Sequence, residues 1–258
     1  MIRPTPQADP RCIPVRLDRH PPEGDEIRSP SYTEDDHETW RLLYARQRAL
    51  LPGRAADEYL AGLTRMGFPE ARIPSLRAAS TVLSDTTGWR VARVPGLLHE
   101  EDFFALLARR VFPSTDYIRP RTEMDYTPAP DLFHDVFGHM PMITHAAFAE
   151  FYQRLGSAAR VARGDDRRRI ERFYWFTVEF GLIRTREGLR IYGNGILSSY
   201  AEALHSLTGA VAKLPFDADR IAEEEYDVWR LQPRLFVIDS FEQLAEEFEG
   251  WARRRGLQ

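Results

Sequence analysis

From Glu34 onward apolar residues fall at helical spacing: Trp40, Leu43, Tyr44, Leu50 and Leu51 follow the capped start Thr33-Glu34-Asp35-Asp36. RAADEYLAGLTRMGF predicts a second helix ending at Gly67, and HEEDFFALLARRVF a third that stops before Pro113. Between them GWRVARVPG, with Trp89 and Val91 alternating and then Val94, has the pattern of a short strand. The proline-punctuated stretch IRPRTEMDYTPAP predicts a loop that feeds a helix beginning near Asp131. HAAFAEFYQRLGSAARVARG and DRRRIERFYWFTVEFGLI read as further helices, LRIYGNG as a strand and turn, and SSYAEALHSL as a helix. RLFVIDSFEQLAEEFEGWARR reads as a strand followed by a last helix. No repeat or linker follows residue 35. The pattern predicts one mainly α domain with a few short strands (α+β) over residues 33–258.

Residues 1–32 break this pattern. They hold seven of the 18 prolines and few aromatic residues, too little to offset ordering entropy, and are expected to form a disordered arm. The opening MIRPTPQADPRC has no apolar core segment, so it does not read as a secretory signal. No run of about 18 apolar residues exists to span a membrane. A net charge of −4 gives no general attraction to nucleic acid or anionic lipid. The basic run Arg167 to Arg172 sits beside Asp165 and Asp166 and reads as a solvated helix face. The single cysteine, Cys12, excludes an intrachain disulfide and a cysteine metal site, and suits a reducing cytosol.

Two stretches carry candidate chemistry. FHDVFGHMP holds His134 and His139 five residues apart. On an α-helix these are rotated by about 140° and cannot face one ion together. Gly138 and Pro141 bracket His139 with helix-stop residues, so the expectation is a helix ending at Gly138 with His139 swinging back from the turn. FYWFTVEFG puts Glu179 on a helix that is apolar nearly all round. A carboxylate there needs a cation, either an arginine or a metal. Two imidazoles and one carboxylate make the ligand set of non-haem Fe(II) oxygenases, and zinc accepts the same ligands. Each residue also has a plain reading, the histidines as caps or surface residues and Glu179 as half of a buried ion pair. His20, His37, His99, His145 and His205 read as ordinary.

PDLFHDVFGHMP, YWFTVEFGL and YGNGILSSYAE, in that order and spacing, resemble the pterin-dependent aromatic amino acid hydroxylases, the bacterial phenylalanine 4-hydroxylases most of all. TWRLLYARQRALLPGRA, TGWRVARVPGLL, FPSTDYIR and FVIDSF extend the resemblance over about residues 33–245. It implies that His134, His139 and Glu179 are the iron triad, with Tyr174 near the iron. Arg119 matches the arginine that pairs with the substrate carboxylate, a bidentate task for guanidinium. Thr127 and Asp131 stand where the family holds the amino-acid backbone, Gly195 and Ser198 in the loop lining that pocket. Pro130 and Trp175 match its walls around the ring, and Phe103 the aromatic residue that stacks on the pterin. Ala129 departs from the family's glutamate, and Asn194 fills a slot that is usually small. Asp135 and Pro113 follow the bacterial members.

The implied activity is ring hydroxylation of a free aromatic amino acid with Fe(II), O2 and a tetrahydropterin, either tetrahydrobiopterin or a bacterial pterin. Val228 lies where tyrosine hydroxylases carry an acid, and Trp175 where tryptophan hydroxylases carry phenylalanine, so phenylalanine is the expected substrate and its catabolism the setting. Formation of meta-tyrosine or 5-hydroxytryptophan is the alternative within this chemistry. Outside it stand a zinc-dependent hydrolase and a non-catalytic binding protein. No nucleic-acid or membrane partner is expected, and nothing resembles the family's tetramerisation helix, which favours a monomer.

Overall fold

The computed structural model describes residues 9–125, 127 and 129–258. Helix α1 (Glu34–Leu50) starts as predicted: Asp36 N donates to the Thr33 hydroxyl, and Thr33 N donates back to the Asp36 carboxylate. Helix α2 (Asp57–Met66) ends at Gly67, whose φ of 59° suits a residue without Cβ. Helix α3 (Leu76–Thr87) was not foreseen, although Ser75 caps it, Gly88 closes it, and Leu76, Ala79, Ser80 and Leu83 form its buried stripe.

Strand β1 (Arg90–Val94) pairs in parallel with β2 (Val111–Thr115), and α4 (Glu100–Ala108) crosses between them. The predicted third helix is therefore too long. It stops at Ala108, the chain reverses through Arg110 at a φ of 57°, and Pro113 sits inside β2 opposite Ala92. A two-stranded sheet leaves each strand an open edge, where a missing N–H is tolerated.

After the loop, α5 (Met140–Ile143), α6 (Ala146–Val161) and α7 (Asp165–Phe173) complete the helical body. The predicted helix through FGLI ends at Glu179, because Gly181 opens β3 (Gly181–Thr185). This strand pairs antiparallel with β4 (Gly188–Ile191). Then come α8 (Asn194–Ser198), α9 (Tyr200–His205), β5 (Ala212–Pro215), α10 (Ala218–Glu223), β6 (Arg234–Ile238) and α11 (Phe241–Arg254). The second sheet runs β4-β3-β6-β5. The architecture is mainly α with short strands, as predicted, and no helix among the described residues is long and apolar enough to cross a membrane.

Residues 9–32 depart from the arm expected over residues 1–32, of which residues 1–8 lie outside the described residues. Val15 bridges to Leu98, Ile27 is buried, and Arg11 donates two hydrogen bonds to Glu123. The buried Glu23 carboxylate meets Arg90 and Arg109. Composition missed these contacts because a few apolar anchors and ion pairs, made to distant parts of the chain, hold the segment down.

Candidate active site

The two histidines are brought together by a turn that sequence reasoning did not anticipate. Residues His134–His139 form a π-helical turn that runs on into α5, so the helix does not end at Gly138. In a π turn the hydrogen bonds join residues five apart, which sets His134 and His139 one above the other. Gly138 serves space rather than termination, since a Cβ there would come within 2.9 Å of Asn194 O. Aromatic packing wedges the turn from behind: Phe133 and Phe137 stack at 4.8 Å, and Trp40 and Tyr59 pack edge-on against them.

Glu179 closes a second π turn, Tyr174–Glu179. The two Nε2 atoms lie 3.0 Å apart, with Glu179 Oε1 3.1 Å from His139 Nε2 and Oε2 3.8 Å from His134 Nε2. Each residue offers one ligand atom, all within 4.8 Å of one another. Burial alone would raise the Glu179 carboxyl, but the imidazoles beside it hold it well below the usual carboxylate range. Burial drives His139 toward the neutral form. It works the same way on His134, where Glu179 outweighs it and raises the imidazole. Two nitrogens and a carboxylate converging without any arginine between them fit a divalent metal, with ligands on one side only.

The triad sits on the wall of a cleft of about 710 Å³. Phe103, Tyr174, Trp175 and Val228 also line it, as do Arg119, Thr127 and Pro130 and the turn carrying Gly195 and Ser198. Phe103 and Tyr174 meet edge to face at 5.3 Å. Burial, with the Glu179 charge, pushes the Tyr174 phenol well up. Trp175 stacks on Tyr226 at 4.5 Å and donates Nε1–H to Gln232 Oε1. Thr127 donates to Ala129 O, and Tyr117 donates to Pro130 O. Asp131 alone of the predicted set does not reach the cleft wall. It is wholly buried behind Arg119, which it holds by two side-chain hydrogen bonds. Gly195 has a steric reason, because a Cβ there would stand 2.8 Å from Glu179 Oε2.

Several functional contacts escaped the sequence. Ser198, expected near substrate, lies with its hydroxyl 2.8 Å from His134 Nδ1. Asn194 reaches His139 Nδ1 at 3.0 Å, and Tyr152 stands 3.4 Å from the same atom. Asp135 accepts hydrogen bonds from Thr115 N and Oγ1 at 2.7 and 3.0 Å, and burial pushes its carboxyl up to about 7. Glu202 accepts from Gln232 N through Oε1, while Oε2 is buried with no partner. Each joins positions far apart along the chain, where no spacing rule applies.

Comparison with known proteins agrees with this geometry. The profile of biopterin-dependent aromatic amino acid hydroxylases matches residues 17–256. Phenylalanine-4-hydroxylase of Ralstonia nicotianae is 47% identical over 218 residues, covering 83% of this chain and 69% of the relative. That of Pseudomonas aeruginosa is 43% identical, covering 84% of each. Among solved structures, Chromobacterium violaceum phenylalanine hydroxylase with bound iron(III) and 7,8-dihydrobiopterin superposes with a TM-score of 0.83. It is 41% identical, covering 87% of this chain and 82% of that one.

Proposed function

The chain belongs to the biopterin-dependent aromatic amino acid hydroxylases, and on that premise we propose that it converts free phenylalanine to tyrosine with Fe(II), a tetrahydropterin and O2. The observation that carries this reading is the meeting of His134, His139 and Glu179 at one point on the cleft wall. These three would hold the iron from one side and leave positions open to the cleft. Bound iron and reduced pterin supply the O2 activation and the two electrons that side chains cannot.

The protein's part is to bind, orient and exclude water. Arg119 takes the substrate carboxylate, its guanidinium already aligned by Asp131. Thr127 and the Gly195–Ser198 turn flank the amino-acid backbone, and Pro130 stands on the wall around the ring. Trp175 walls the ring and Phe103 receives the pterin. Tyr174 and its aromatic neighbours keep water from the metal. Val228 offers no partner to a substrate hydroxyl, which favours phenylalanine over tyrosine. A metallopeptidase reading lacks the glutamate base beside the first histidine, where this chain has Asp135, held through Oδ2 by Thr115. A reducing cytosol completes the reading, supported by a single cysteine.

The test supplies metal-free protein with Fe(II), tetrahydropterin and O2, offers phenylalanine, tyrosine and tryptophan separately, and resolves products against para- and meta-tyrosine standards. Para-tyrosine, lost in His134→Ala and Glu179→Ala, is expected. Meta-tyrosine or 5-hydroxytryptophan would overturn the substrate assignment. No product despite one equivalent of bound iron would overturn the activity.

A further inference from the structure

Helix α8 carries Asn194 and Ser198 four residues apart, so both side chains leave one face of the same turn. Each reaches the Nδ1 atom of a different metal-facing histidine. The Ser198 hydroxyl lies 2.8 Å from His134 Nδ1 and 3.0 Å from Asn194 O; with its one hydrogen given to Asn194 O, it accepts from His134. His134 thus keeps its proton on Nδ1 and turns a lone pair on Nε2 toward the metal point.

Asn194 stands in the same relation to His139. It is fully buried, with Nδ2 3.0 Å from His139 Nδ1 and Oδ1 without a partner. With Nδ2 against the ring, Nδ1 must accept and the proton sits on Nε2, where a metal needs a lone pair. A half-turn of the amide exchanges its two heavy atoms. Oδ1 then accepts from Nδ1–H and Nε2 is freed, while Nδ2 takes over the unpartnered position. The other neighbour of Nδ1, Tyr152 OH at 3.4 Å, is the longer and weaker contact.

We propose that Asn194 is a positioning residue for the metal: its amide oxygen accepts the Nδ1 hydrogen of His139 and fixes the tautomer that presents Nε2, as Ser198 does for His134. This rests on the metal reading above. It makes one helical turn the common holder of both imidazoles, with Gly195 between them clearing room for Glu179.

The experiment compares the full chain with Asn194→Asp, which keeps an acceptor, and Asn194→Leu, which removes it. Asn194→Ala removes it without crowding, should the leucine variant fail to fold. Co(II) affinity is read by its d–d absorption, and the His139 tautomer by long-range proton–nitrogen spectra of the Zn(II)-loaded protein. The acceptor-less variants should bind Co(II) about 10- to 100-fold more weakly and lose the Nδ1–H resonance, while Asn194→Asp stays within about threefold. The inference is overturned if Asn194→Ala binds like the full chain with the resonance intact. Equal losses in the aspartate and alanine variants overturn it too, since the contact would then be packing alone. A parent chain that takes up neither metal overturns the metal reading itself, a distinct result.

Discussion

Arg119 and Asp131 meet fork to fork: Nε and Nη2 donate to Oδ2 and Oδ1 at 2.8 and 2.7 Å, with both side chains buried. The same carboxylate accepts from Arg119 N at 2.9 Å and from His134 N at 3.1 Å. One buried anion therefore ties the cation facing the cleft to the start of the metal-binding turn. Removing it leaves an uncompensated guanidinium in the interior. Asp131→Ala should cost about 3–5 kcal/mol in urea unfolding, and a loss under about 1 kcal/mol would show the pair to be dispensable.

Arg119→Lys keeps the charge but not the fork. A lysine is a point charge and cannot grip the substrate carboxylate and Asp131 in two planar arrangements. The KM for phenylalanine should rise about 10- to 100-fold, with the KM for the pterin little changed. A parallel rise in both would place Arg119 in overall stability instead of substrate binding.

Gly195→Ala tests the crowding behind the triad. Its Cβ would stand 2.8 Å from Glu179 Oε2 and 3.2 Å from Glu179 O. The closer contact is with the free end of the Glu179 side chain, so the carboxylate is what swings away from the metal point. Iron stoichiometry after gel filtration should fall while far-ultraviolet circular dichroism is unchanged. Full occupancy in this variant would mean that the carboxylate has slack.

Glu202 gives stability a pH dependence outside the metal site. Burial pushes its carboxyl up to about 7 from 4.5. The folded chain thus holds a proton that the unfolded chain releases between those values, and this contribution is lost as pH rises through the window. Glu202→Gln mimics the protonated form. Relative to the parent, it should gain on the order of 1–3 kcal/mol near pH 8 and little near pH 4. Urea unfolding at the two pH values measures it; an equal difference at both would refute the buried proton.

Much of the site was legible because its residues lie in short, dense motifs. Helix boundaries followed where the signal is chemical and local, as at Thr33 and Gly67. Pro113 and Gly138 misled for one reason: both residues stop helices in isolation, and here each answers to a neighbour distant in sequence. Pro113 pairs with Ala92, and Gly138 makes room for Asn194. Ile27 and Glu23 likewise draw on distant partners, so a segment poor in apolar residues still lies against the domain. The spacing of His134 and His139 was a real signal. It indicated correctly that an α-helix cannot join them, while the remedy adopted is a wider turn instead of a break.

Each π turn is an α turn with one residue too many, and a surplus residue shifts the phase of all that follows by about 100°. The two turns, His134–His139 and Tyr174–Glu179, thus store the metal site as added length. Deleting one residue from either would rewind it to ordinary pitch, swing a ligand out of convergence, and rotate the helix beyond it against the core. Grafting the triad onto a straight helical bundle meets the same constraint. The two surplus residues have to travel with the ligands, because their insertion is what aims them.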